Sequence, residues 1–168
     1  MRNILNVMDY IPGEDYLSKI IRSTRASHEV KASDRAFELH QAEILSEKLP
    51  LFWGSLVATV ERDIGLYNKS FPLRKLDFRK NADPSFRVHQ SNYPAVLLEV
   101  RLGKYTIRAD YTFTSHDLGE PQRDSVVLVL GIENSQITIK DETGSKVGAV
   151  GDVVRFLLER VLVEEQPL

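Results

Sequence analysis

The sequence predicts an α+β domain in which an antiparallel sheet of about five to seven strands is covered on one face by a long kinked N-terminal helix and a C-terminal helix. Three observations predict it. Apolar residues recur at threes and fours from Leu45 to Tyr67 and again from Val153 to Leu162, the periodicity of helices with one buried side. Between Leu76 and Ile139 they mostly alternate with polar neighbours, as in half-buried strands. No Gly/Ser/Pro linker, internal repeat or low-complexity tract interrupts the 168 residues, which therefore read as a single domain.

Residues 1–30 read as an N-terminal extension with a short helix. Pro12-Gly13 is the first punctuation, Glu14 and Asp15 suit the positive end of a helix running to about Arg25, and Tyr16, Leu17, Ile20 and Ile21 form its apolar face. Residues 31–68 read as helical. Ser33 is placed to cap the first turn with its hydroxyl, and Asp34 adds favourable charge there. The strong stripe from Leu45 to Tyr67 follows, interrupted by Pro50, whose missing N–H and ring clash predict a kink or a fresh start.

Residues 71–149 read as the sheet. Leu76 and Phe78 alternate with charged neighbours, Asn81 to Pro84 form a turn, and Phe86 and Val88 resume the alternation. Asn92-Tyr93-Pro94 punctuates again. Glycine first in the dipeptide Gly103-Lys104 suits a two-residue type II′ turn, which sets Leu102 against Tyr105, Val100 against Ile107, Glu99 against Arg108 and Arg101 against Thr106. A second hairpin through Asn134-Ser135 sets Ile132 against Ile137 and Leu130 against Ile139. Asp141 to Gly144 makes another turn, a short strand around Lys146–Ala149 follows, and residues 151–163 form the closing helix.

The chain contains no cysteine, which excludes disulfides, thiolate zinc sites and cysteine nucleophiles and fits a reducing, cytoplasmic setting. Met1–Ile11 is broken by Asn3, Asn6 and Asp9, so no signal peptide is predicted, and the longest apolar runs fall far short of the roughly 18 residues of a membrane helix. The spacing of His28, His40, His89 and His116 matches no helical zinc motif, and no phosphate-cradling glycine loop, nucleophile elbow or HExxH is present. No metal and no cofactor are predicted. His40 reads as a residue packed at the boundary of the helical stripe.

Net charge is −2, but residues 69–93 carry six basic and two acidic side chains, an excess that the flanking segments offset. With Leu76, Phe78, Phe86 and Val88 facing the core, Lys75, Arg79, Arg87 and His89 share the opposite face, where Arg101 and Arg108 join them from the next hairpin. Guanidinium groups on a rigid sheet suit bidentate bonds to phosphate or carboxylate, with His89 or Tyr93 available to stack on a base; Asp77, Glu99 and Asp110 on the same face oppose a polyanion. Weaker catalytic candidates are the loop carrying His116, Asp117 and Glu120, and Asp110, whose expected neighbours Leu97 and Glu99 would raise its pKa. Ala95, Leu97, Val127 and Val129 form an apolar patch on the outer sheet face, suited to a dimer interface or a protein partner, or to lining a small-molecule pocket.

The function expected from these features is a non-enzymatic binding or assembly module acting through the outer sheet face, on another protein or a second copy. The alternative is a binder of an anionic small molecule or nucleic acid through the basic face, and the third reading is a small enzyme using the 116–120 loop.

Overall fold

The computed structural model describes residues 16–92, 94–115 and 119–162. Helix α1 runs from Tyr16 to Ser70, and six strands follow: β1 Leu76–Lys80, β2 Ser85–Gln90, β3 Ala95–Leu102, β4 Thr106–Thr114, β5 Gln122–Glu133 and β6 Gln136–Lys140. Helix α2, Val150–Leu162, closes the chain. Each strand pairs antiparallel with the next, so the sheet order is the sequence order. This is the expected α+β architecture, with six strands. Contacts divide the chain into two compact units, Met1–His40 and Gln41–Leu168.

The second unit is built on one parity. Leu76, Phe86, Val88, Val96, Leu98, Val100, Ile107, Ala109, Tyr111, Val126, Leu128, Leu130 and Ile139 are buried together with Leu45, Leu56, Val57, Val60 and Ile64 of α1 and Val153, Val154, Leu157, Leu158 and Val161 of α2. Every strand thus turns alternate side chains to the two helices, as the alternation requires. Trp53 of α1 reaches Phe86 with ring centroids 5.7 Å apart, and Phe78 meets Phe86 at the same separation. Asn68 ties the end of α1 to the first strand twice: its Nδ2 donates to the Leu76 carbonyl at 2.9 Å, and its Oδ1 accepts from the Leu76 amide at 2.8 Å.

Three local expectations are corrected. α1 is one helix rather than a short helix followed by a second start at Ser33, because nothing from Ala26 to Ala32 breaks a helix and Ser33 sits inside it. Of the two outcomes expected at Pro50, a kink or a fresh start, the fresh start does not occur, since Pro50 lies within α1. A helix-interior proline costs about 3 kcal/mol, yet the core residues Leu45 and Leu56 on either side of it are buried in the same cluster, which offsets that cost. Residues 146–149 form no strand; Lys146 makes one isolated bridge to Lys140, and the Val147 amide donates to the Ile139 carbonyl at 2.9 Å.

The third correction concerns the β3–β4 hairpin. Leu102 pairs with Ile107, Val100 with Ala109, Glu99 with Asp110 and Arg101 with Arg108, a shift of two positions from the expected register. The loop is wider because the Gly103 amide donates to the Thr106 carbonyl at 2.7 Å, while the Tyr105 carbonyl accepts from the Leu130 amide at 2.8 Å. Gly103 is needed for close approach rather than for a left-handed backbone: a Cβ there would stand 2.7 Å from Thr106 Oγ1. A shift of two keeps every side chain on its face and changes only the partners. The β5–β6 hairpin has the expected register, with Asn134 and Ser135 at φ 50° and 60°, the left-handed pair of a type I′ turn.

Before α2, Gly148 takes φ 106° and a Cβ there would lie 2.5 Å from the Asp152 carboxylate. That carboxylate accepts from the Ala149 amide at 3.0 Å, the backward half of a capping box, and so sets the start of the helix. The other end of the contact is held by Tyr111, which is buried and whose hydroxyl donates to the Leu157 carbonyl at 2.8 Å.

Burial pushes the Tyr111 phenol far above its ordinary value, with Arg160 opposing the shift and Asp124 adding to it. Below about pH 10 the phenol is neutral in both folded and unfolded chains; above it the unfolded chain ionises while the folded one does not, so stability falls as pH rises. Urea titrations from pH 8 to pH 11 are expected to show this alkaline loss, and Tyr111→Phe should flatten it. At neutral pH the same substitution should cost about 1 kcal/mol for the lost hydrogen bond.

Candidate functional site

The face of the sheet opposite the helices carries the charged residues in cross-strand rows. One row runs Arg79, Arg87, Glu99, Asp110, Ser125; the next runs Asp77, His89, Leu97, Thr112, Arg123. Arg79, Arg87 and His89 therefore meet as expected, and with Asp77 and Leu97 they line a depression of about 260 Å³. Leu97 is half-buried, Arg79 Nε donates to Asp77 Oδ2 at 3.0 Å, and the Arg87 side chain makes no hydrogen bond or ion pair among the described residues. The depression offers a guanidinium and an imidazole to an anion, beside a second guanidinium already engaged by a carboxylate.

Arg101 and Arg108 lie on the same face but directly opposite each other, outside the lining of that depression. Lys75 precedes β1 and is exposed. The six basic residues are thus split between an edge depression, a central arginine pair and the loop before β1.

Asp110 contradicts its expected environment. Thr112, not Asp110, stands opposite Leu97, and Asp110 faces Glu99. Burial is the largest influence on its carboxyl and acts to raise the pKa, but hydrogen bonds from Ser125 and Arg108, with the charges of Arg108 and Arg101, outweigh it and hold the group below the ordinary carboxylate range. The Arg108 Nε donates to Asp110 Oδ1 at 3.0 Å. The arrangement is an ion pair along one strand, which stabilises the charged carboxylate rather than a proton donor. His116 and Asp117 lie outside the described residues; Glu120 is exposed.

The outer apolar residues do not form one surface. Ala95, Leu97 and Val127 are half-buried and fall in different rows, and only Val129 is exposed. Exposed large apolar residues are found in both units, with Leu51, Leu66, Phe71 and Leu73 in the second and the longer series in the first. Apart from half-buried Lys19, every residue from Tyr16 to His40 is exposed, including Tyr16, Leu17, Ile20, Ile21, Val30, Phe37 and Leu39. His40 is exposed as well, not packed. The sequence reading named the first four as an apolar face and missed the last three. Val30 and Phe37 repeat at the heptad interval, a signal present but masked by the charged residues between them.

Sequence reasoning also missed a pocket of about 470 Å³ within the second unit, lined by Leu45, Leu49 and Trp53 of α1, Leu102 of β3, and Lys104 and Tyr105 of the hairpin loop. No described helix is long and apolar enough to cross a membrane, and among the described residues no three His, Asp or Glu side chains gather as a metal site.

Comparison with protein-family models, with curated proteins and with solved structures finds no match. The geometry of Asp110 gives a direct check of the outer face. In carbon-detected NMR titrations its carboxyl should titrate below the usual value of about 3.9, and Arg108→Gln should move the midpoint upward.

Proposed function

We propose that the chain is a non-enzymatic assembly module that pairs with a second copy of itself through the helical stretch Tyr16–His40. The observation that carries this reading is the exposure of seven large apolar side chains on that stretch. Most helical stability in proteins comes from packing an apolar face, and this stretch buries none among the described residues. Full burial of one such side chain is worth roughly 1.5–3 kcal/mol, so a partner helix supplies what the stretch lacks.

Charge favours a copy in the opposite direction. The sequence from Tyr16 to His28 holds three basic residues and no acidic one, whereas from Glu29 to Glu47 five acids outnumber Lys31 and Arg35; Arg25 already pairs with Glu29 at 3.4 Å along the helix. Antiparallel copies crossing at Val30 set Val30 against its own copy, Ile21 near Leu39 and Glu29 near Lys31 of the other copy, with Arg25 opposite Arg35 as the like-charge pair of this register.

The absence of cysteine makes the test direct. Val30→Cys is expected to form an intermolecular disulfide on mild oxidation and Leu17→Cys is not, because only residues near the two-fold axis meet their own copies. Cross-linking of both would indicate parallel helices. The doubly substituted Val30→Glu, Phe37→Glu chain should sediment as a monomer with unchanged near-ultraviolet circular dichroism, since neither residue belongs to the core; a wild-type chain that is monomeric at high micromolar concentration overturns the reading.

A second reading rests on the unengaged Arg87 beside His89 in the outer-face depression. There the chain holds an anionic group of a small molecule or nucleic acid. Such binding should weaken steeply with salt, and Arg79→Ala with Arg87→Ala should reduce it at least tenfold; salt-independent binding of inorganic phosphate or oligonucleotide counts against it.

A further inference from the structure

We infer that the pocket between α1 and the β3–β4 loop is a binding site for a small apolar carboxylate. Its volume of about 470 Å³ falls within the range of roughly 300–1,000 Å³ common for small-molecule sites. Its walls belong to the core: Leu45 is buried, and Trp53 is held against Phe86. The cavity is therefore set by packed side chains and exists before any ligand arrives.

The charge at its mouth selects the ligand. Lys104 is the one charged residue of the lining, and its Nζ lies 5.1 Å from the centroid of the Tyr105 ring. It makes no ion pair with an acid among the described residues. An ammonium over an aromatic face gains a modest attraction that a carboxylate can supplement from the open side. A monoanion with an apolar body satisfies both parts of the site: its chain or ring replaces water against Leu49, Trp53 and Leu102, and its carboxylate meets Lys104. A polyanion such as a nucleotide would have to lose hydration against those apolar walls, with one cation in return. A cationic ligand would meet Lys104 as a like charge.

Trp53 is the only tryptophan in the chain and lines this pocket, so its fluorescence gives a single local signal from the pocket wall. Titration of the full chain with decanoate below its micellar concentration is expected to change Trp53 emission saturably, at least tenfold more tightly than decanol. Lys104→Met, which keeps an apolar stem at an exposed position, should erase that difference while decanol binding persists. Ser46→Phe, which narrows the pocket from the helix side, should abolish binding of both, with unchanged urea stability showing that the variant folds. The inference is overturned by an absence of saturable change, by equal affinity for decanoate and decanol, by tighter binding of decyltrimethylammonium, or by binding that survives Ser46→Phe. None of these outcomes depends on the pairing of Tyr16–His40.

Discussion

A strand can hide only alternate side chains, and from Leu76 to Ile139 the protein holds one parity across six strands. Everything in the second unit depends on that. The Asn68 side chain sets it at the start, since its two bonds to the Leu76 backbone fix where the first strand begins against α1. Each later turn passes the parity on: the type I′ pair Asn134-Ser135 does so with two residues, and the loop after Leu102 does so with four. A turn longer or shorter by one residue would have put Val126 and Leu128 in water and Arg108 against α2.

Faces were legible in the sequence and partners were not, for a physical reason. Burial selects between the two sides of a strand with several kcal/mol at stake, so Val100, Ile107 and Leu130 declare their side through neighbours in sequence. Register between strands that already agree on their faces is chosen by much smaller terms. At Gly103 the choice fell to a close contact with Thr106 and to the Leu130 amide on the Tyr105 carbonyl, neither of which has a sequence signature. The consequences for the outer face were large: Glu99 came opposite Asp110 and Arg101 opposite Arg108, and the like charges are offset along the strand, by the Arg108–Asp110 pair, instead of across it. Reading a raised pKa into Asp110 required the wrong partner. The grouping of Arg79, Arg87 and His89 survived because it needed only face and strand order.

The same logic separates what the two halves of α1 do. From Leu45 onward most of its apolar residues join the core, Leu51 and Leu66 excepted, and their spacing at threes and fours is unmistakable. Before His40 apolar residues are sparser and fall on two overlapping spacings, one through Leu17, Ile20 and Ile21 and one through Val30 and Phe37, with no proline or glycine between the two halves. Helix continuity was therefore set by the lack of a breaker, while exposure was set by which residues find a partner in the fold, which local pattern does not encode.

An open sheet of six strands has two free rims, β1 and β6, and unpaired rims invite other chains to add on and build fibres. Here each rim strand is only five residues long. Arg79 and Lys80 charge the first, and the Lys140 and Lys146 ammonium groups converge on Glu133 beside the last. The bridge from Lys146 to Lys140 also occupies part of the final rim's backbone. The molecule thus blunts both rims against aggregation by brevity and charge without closing the sheet into a barrel, leaving chain-to-chain contact to elements other than its exposed backbone.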